Sequence, residues 1–292
     1  MWPRLLPALT ALLASATIAC GDEDPVAAPA PPAASTDPGP VHVHGLGVNP
    51  SDGAVLIATH TGLFRAGADE DRARRVGESA QDTMGFAIVG PDHFLGSGHP
   101  DPADTDLPPY LGLIESRDAG RTWRPLSLHG DVDFHLLESG DERVYGYGSD
   151  FATREPRFLT SKDGGKTWTR LTAPEPLISL ALAPGDGREL IASGQRGLHR
   201  SSDGGRTWAS IDAPAPGHLA WTDERVVLAD LDGQVWHGAD ADRGRWRPAG
   251  HVGGEPAAFD HGAPGELLAA LHDGTVKQSR DAGRTWTVRS QP

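Results

Sequence analysis

Ser116-Arg-Asp-Ala-Gly-Arg-Thr-Trp123 returns as Ser161-Lys-Asp-Gly-Gly-Lys-Thr-Trp168, as Ser201-Ser-Asp-Gly-Gly-Arg-Thr-Trp208 and as Ser279-Arg-Asp-Ala-Gly-Arg-Thr-Trp286. The tryptophans stand 45, 40 and 78 residues apart, and a worn copy, Asp240-Ala-Asp-Arg-Gly-Arg-Trp246, divides the long gap into 38 and 40. A more degenerate first copy, Gly67 to Val76, lacks the tryptophan. A repeat of about forty residues is the length of one four-stranded propeller blade.

The string has a physical reading. Asp118, Asp163, Asp203 and Asp281 can each accept backbone N–H bonds inside a tight turn, which fixes a hairpin. The glycine two places on tolerates positive φ. Trp123, Trp168, Trp208 and Trp286 then bury a large ring against the neighbouring sheet, and each indole N–H needs a partner. Asp-x-Gly-Gly superficially resembles a calcium loop, but the further carboxylates and the closing Glu are missing.

Between the strings the apolar runs are short and bounded by Gly, Pro and Asp. In one repeat they read Leu177 to Leu182, Glu189 to Ala192, Gly197 to Arg200 and Thr207 to Ile211. This is the pattern of four strands per repeat. With 37 Gly and 25 Pro in 292 residues, the composition is one of many tight turns. The expectation is an all-β chain, a six-bladed β-propeller of four-stranded antiparallel blades over residues 41–290. Seven blades are the alternative if the chain ends complete one.

The first forty residues stand apart. In residues 1–20, Arg4 precedes an apolar run from Leu5 to Ile18, and Ala19 stands before Cys20. This is the layout of an export signal, too short for a stable bilayer-spanning helix. Small residues before a lone cysteine resemble a bacterial lipoprotein signal, in which Cys20 is acylated. The expectation is a lipid-anchored domain on the extracytoplasmic face of the cell membrane, or a secreted one without acylation. Cys20 is the only cysteine, so no intramolecular disulfide forms. Residues 21–40 hold six prolines and no aromatic or β-branched cluster, and read as a disordered tether. Net charge is −14 with no basic stripe, which argues against nucleic acid. A monomer is expected.

On these repeats the chain resembles the Asp-box, or BNR-repeat, propeller superfamily. That group includes sialidases, other glycoside hydrolases, sortilin-type receptors and photosystem assembly factors. Residues 41–290 also resemble actinobacterial lipoproteins labelled glycosyl hydrolases. The motifs are His42-Val-His44-Gly-Leu, Ala58-Thr-His60-Thr-Gly-Leu-Phe, Asp82-Thr-Met84-Gly-Phe, Gly96-Ser-Gly-His99-Pro-Asp-Pro and Asp133-Phe-His135. A repeat that builds turns says nothing by itself about chemistry.

The resemblance implies a binding face opposite the Asp-boxes, built from links between blades and from loops joining second and third strands. Links carry His42 and His44, Met84, and His135. Loops carry His60, then His99 with Asp101 and Asp104, then Tyr147, Asp150 and Arg154. Later blades offer Gln195, Asp230, Asp232, His272 and Asp273. His42 and His44, two apart on a strand, should point to one side, toward the central channel. Met84 is the only methionine beyond the signal and sits in a Thr-Met-Gly link. Imidazoles beside a thioether favour copper, especially Cu(I), and an imidazole-only subset suits zinc. The metal candidates are therefore His42, His44, His60, Met84, His99 and His135. His93, His129, His199, His218, His237, His251 and His261 show no convergence in the sequence.

Two other functions compete. A sialidase would need an arginine clamp, a tyrosine nucleophile and an acid/base aspartate. The Arg-Ile-Pro element is absent, and Tyr110, Tyr145 and Tyr147 all lie mid-chain. A two-carboxylate glycosidase would draw on Asp101 and Asp150, with Asp104 and Asp232 behind them. The third reading is a protein- or glycan-binding receptor or assembly scaffold.

Overall fold

Consecutive short strands pair antiparallel, four at a time, in the computed structural model, which describes residues 37–140, 143–238 and 245–292. Blade 1 is β1 (Val43–Val48), β2 (Val55–Thr59), β3 (Gly62–Ala66) and β4 (Arg74–Arg75). Blade 2 is β5 (Asp82–Gly90), β6 (His93–His99), β7 (Leu113–Ser116) and β8 (Arg124–Ser127). Blade 3 is β9 (Val132–Gly140), β10 (Arg143–Asp150), β11 (Pro156–Ser161) and β12 (Thr169–Leu171). Blade 4 is β13 (Leu177–Ala183), β14 (Asp186–Gly194), β15 (Gly197–Ser201) and β16 (Ala209–Ile211). Blade 5 is β17 (Gly217–Trp221), β18 (Val226–Asp230), β19 (Gln234–Gly238) and β20 (Trp246–His251). Blade 6 is β21 (Pro256–His261), β22 (Leu267–Leu271), β23 (Val276–Ser279) and β24 (Thr287–Ser290).

The second strands explain the ring. Both faces of β2, VLIAT, are buried, as are both faces of β18, VVLAD. Alternate side chains of such a strand serve different neighbours. Ile57 joins Phe64 against Ala258 and Leu268 of blade 6, while Leu56 joins Leu63 against Phe86 and Phe94 of blade 2. Six apolar clusters fill the six interfaces. Each blade is continuous in sequence, so the ring closes by packing and by a clasp. Gln291 N–H donates to Asp71 O at 2.7 Å, and the Arg289 guanidinium donates to the carbonyl of Glu70 at 2.6 Å.

The repeated strings are hairpin turns between third and fourth strands. In blade 3, Asp163 Oδ1 accepts from Thr167 N–H (2.9 Å) and from Ser161 O–H (2.7 Å), and Oδ2 accepts from Thr167 O–H (2.7 Å). Ser161 Oγ in turn accepts Gly165 N–H at 2.8 Å. Asp118, Asp203 and Asp281 repeat the Ser and Thr bonds. Both carboxylate oxygens are thus used inside the turn. Gly165 has φ 89°, and a Cβ there would lie 2.3 Å from Leu113 Cδ2 of the preceding blade, so the turn nests against its neighbour. Trp168 Nε1–H reaches Ser127 Oγ of that blade (2.9 Å), and Trp208 and Trp246 donate to its counterparts Thr172 O and Asp212 O. Trp286 donates within its own turn, to Gly283 O, and Trp123 packs among Leu63 and Phe94.

The signal at 1–20 with Cys20, most of the tether, and Asp240 to Gly244 of the worn copy lie outside the described residues. Trp246 and the degenerate turn between β3 and β4 fall where the forty-residue period puts them.

Candidate functional site

Because the turns after third strands lie on one face, the entrances of first strands and the exits of second strands meet on the other. That face surrounds the mouth of a central channel of about 440 Å³. His44, Met84, His135, Ile178, His218 and Ala257 line this channel. They hold corresponding places on β1, β5, β9, β13, β17 and β21. In five of the six blades the pairing register skips this residue: His44 lies between paired Val43 and Gly45, and Met84 between Thr83 and Gly85. His135, Ile178 and Ala257 are skipped in the same way. The first strand bulges at this step, which re-aims the side chain.

The same geometry corrects the expectation for His42. It precedes β1 with φ 52°, outside the alternating strand, and is not among the channel-lining residues. Its ring instead lies edge-on to His60, 6.1 Å between centroids.

His60, just past β2, accompanies His44 at Asp82, the first residue of β5. His60 Nδ1 is 2.8 Å from Asp82 Oδ2, and His44 Nε2 is 3.4 Å from Asp82 Oδ1. Asp82 is 8% exposed, whereas the His60 side chain is 62% exposed, so the cluster opens to the mouth. His44 Nε2 and Asp82 Oδ1 are buried and form no hydrogen bond. The candidate donor atoms of His44, His60 and Asp82 all lie within 4.8 Å of one another, the one such three-residue group found among the described residues.

One blade on, His99 at the exit of β6 and His135 on β9 both address Asp133. The distances to Oδ2 are 3.4 Å from His99 Nε2 and 3.0 Å from His135 Nε2. His99 Nδ1 also faces Pro109 O at 2.8 Å. Both neighbours of the His99 ring are acceptors, an arrangement that favours the imidazolium. Its pKa is accordingly raised to about 9, first by the bond to Asp133, against burial. Burial alone would raise Asp133, but the two imidazoles outweigh it and hold the carboxyl down at about 2. Asp82 pairs across the strands with His99, so the two clusters form one arc. Tyr110 lies edge-on to the His99 ring, and Arg154 lies over Tyr110 and Phe151 at 5.3 and 5.0 Å.

Asp101 and Asp150, the glycosidase candidates, are bound into turns. Asp101 accepts Ala80 N–H (2.6 Å) and Ala103 N–H (2.9 Å). Asp150 accepts Thr153 N–H (2.8 Å) and pairs with Arg157. Asp230 accepts Gln234 N–H and Trp236 Nε1–H.

Asp82 and Asp133 stand in the sequence motifs with no evident role, and in the fold each is the shared partner of two imidazoles. The clue was their spacing: Asp82-Thr-Met84 and Asp133-Phe-His135 repeat the interval of His42-Val-His44 at the same step of three successive blades. His218 shows the reverse case. It has no partner in the sequence pattern, yet it lines the channel, where burial drives its imidazole down to about 4. Deeper in the channel, burial and the nearby Asp260 charge push the Glu138 carboxyl well above its usual range.

No family model matches the chain, and no curated protein matches it. Solved structures do. The WD40 propeller domain of Doa1 is similar with a TM-score of 0.58 at 15% identity, over 88% of this chain and 84% of that one. An ancestral GH74 enzyme gives 0.56 at 11% identity, over 87% of this chain and 39% of its own. The GH74 xyloglucanase of Xanthomonas campestris gives 0.53 at 19%, over 86% and 45%. The chain thus spans less than half the length of these two GH74 structures. At such identities the likeness is one of fold, and it agrees with the strand pairing: this chain is a six-bladed β-propeller.

Proposed function

We propose that this propeller is a metal-binding protein, exported and tethered through Cys20, which holds a divalent ion at the channel mouth between His44, His60 and Asp82. One observation carries the reading: a buried imidazole nitrogen and a buried carboxylate oxygen face each other across 3.4 Å without a hydrogen bond. Unpaired buried polar atoms are costly. Two ligands about 2.0–2.1 Å from a tetrahedral ion stand about 3.3 Å apart. The separation is that of two ligands on one ion. The 2.8 Å His60–Asp82 contact is an ordinary hydrogen bond, which the ion would replace.

The donor set selects among metals. Two imidazoles and a carboxylate suit Zn(II) or Cu(II) better than Cu(I). Three protein ligands also leave a position open toward the mouth. Asp101 and Asp150, both occupied in turns, favour binding over two-carboxylate hydrolysis.

The test is element analysis of the purified protein after loading with Zn(II) or Cu(II) and dialysis. One equivalent should be retained, and lost in Asp82→Asn and in His60→Ala. Equal retention by wild type and both variants would overturn the reading. The anchor is tested separately, by whether Cys20→Ser releases the protein from the membrane fraction.

A further inference from the structure

The rim of the mouth face carries a second charged feature. Arg154, in the loop between β10 and β11, rests in the corner between two aromatic rings. Its guanidinium carbon lies 5.3 Å from the Tyr110 ring centroid and 5.0 Å from that of Phe151, and the two rings meet at 80°. Such contacts hold a cation in place without neutralising it. The backbone is unusual too. Arg154 has φ 61°, and Asp150 holds the turn by accepting Arg154 N–H (2.9 Å) and Thr153 N–H (2.8 Å). Glycine meets that conformation at less cost, so an arginine there points to a use for its side chain.

The charge of Arg154 is unanswered. On the same face Arg75 pairs with Asp37, Arg157 with Asp150 and Arg196 with Glu175. Among the described residues no carboxylate pairs with Arg154, and one of its N–H groups donates to the Tyr110 hydroxyl. That hydroxyl also accepts from Ser149 O–H at 3.5 Å and donates to no described residue. A guanidinium and a phenol O–H thus stand side by side, both with donors to spare. The His99 ring, edge-on to Tyr110 at 5.4 Å, adds positive charge behind them. Phe151 is 38% exposed and gives the same spot an apolar flank. Tyr110, Phe151 and Arg154 do not line the channel.

We propose that Arg154, Tyr110 and Phe151 form a binding site for a carboxylate carried on an apolar body. The carboxylate oxygens accept from the Arg154 guanidinium and the Tyr110 hydroxyl, and charge-assisted bonds of this kind are strong. The apolar part covers Phe151. A free aryl acid, and an acidic peptide side chain next to an apolar residue, offer the same chemistry. The site shares no residue with the metal ligands at the mouth and stands whether or not an ion binds there.

Amide NMR of the full chain, dialysed against EDTA so that no ion at the mouth captures a carboxylate, would follow the loops around Tyr110 and Arg154. Hydrocinnamate is the free-acid probe, N-acetyl-Phe-Glu-amide the peptide probe, and hydrocinnamide the uncharged control. At least one acid should give saturable shifts by about 10 mM, and the uncharged control none. Tighter binding of the peptide identifies an acidic segment as the ligand, and tighter binding of hydrocinnamate a small acid. Arg154→Gln should weaken the acid by about tenfold or more and Tyr110→Phe by several-fold, with circular dichroism to confirm folding. Asp82→Asn should bind the acid as wild type does. No saturable shift with either acid, equal shifts with the uncharged control, or affinity within about twofold of wild type in folded Arg154→Gln would overturn the site. So would a loss in Asp82→Asn as large as in Arg154→Gln, which would put the carboxylate at the mouth.

Discussion

His44 Nε2 and Asp82 Oδ1 face each other across 3.4 Å between blades 1 and 2, and each is buried without a hydrogen bond. The pair comes from strands that start 39 residues apart, so only ring packing brings it together. A bound ion would therefore tie two blades to each other. At a free Zn(II) concentration 100 times Kd, linkage adds about 2.7 kcal/mol to stability. For a domain of this size that raises Tm by roughly 5–10 °C. Calorimetry with and without Zn(II) should show this rise, and Asp82→Asn should abolish it.

The His99–Asp133 pair gives a pH signature. His99 has a folded pKa of about 9, above its ordinary 6.5. Its contribution is therefore complete below about pH 6.5 and is lost as pH climbs through 9. Asp133 is held at about 2, below 3.8, so its contribution is present above 3.8 and disappears as pH falls through 2. Denaturant midpoints of wild type should decline between pH 6.5 and 9. His99→Gln should flatten that decline, and a slope equal to wild type would count against the pairing.

The turn strings should govern stability and not binding. Ser161→Ala leaves the Gly165 N–H, inside the turn, without its acceptor. An unsatisfied buried donor costs about 1–3 kcal/mol, which lowers Tm by roughly 2–10 °C. Metal retention should match wild type, since the turn lies on the opposite face from Asp82.

Ring closure depends on the carboxyl-terminal clasp. Arg289 donates to the carbonyls of Glu70, Gly67 and Ala66. Arg289→Ala removes these bonds while leaving the apolar interface between blades 6 and 1 in place. Amide exchange should speed up across residues 67–73, with the strands of blades 3 and 4 unchanged. Uniform acceleration over the whole ring would mean that the clasp is needed for global folding.

Much of the fold was legible because it is written repeatedly. The four strands expected around Leu177 to Ile211 are β13 to β16, and the forty-residue period placed even the weak turn after β3. The site was less legible. His44, His60, Met84, His99 and His135 do gather at the mouth and channel, on blades 1 to 3. His42 does not enter the channel, because two-residue alternation holds only inside a regular strand, and the chain has φ 52° there and bulges one step later. Asp101 and Asp150 looked like free loop carboxylates, yet each is spent on nearby N–H groups. Asp82 and Asp133 are not marked as site residues by the sequence, because an aspartate's neighbours across a blade boundary cannot be counted along the chain.

The sequence alone determined the repeat, its length and the turn chemistry, since each of these depends on residues within a few places of one another. It also carried the donor types. Tertiary structure decided which donors share an atom's reach. Ring closure set blade 1 against blade 6, the bulges turned His44, Met84 and His135 inward, and the packing of blade 2 on blade 1 put Asp82 beside both His44 and His60. Those outcomes follow from packing and pairing among all six blades, where a shift of one residue moves a side chain to the other face of its strand.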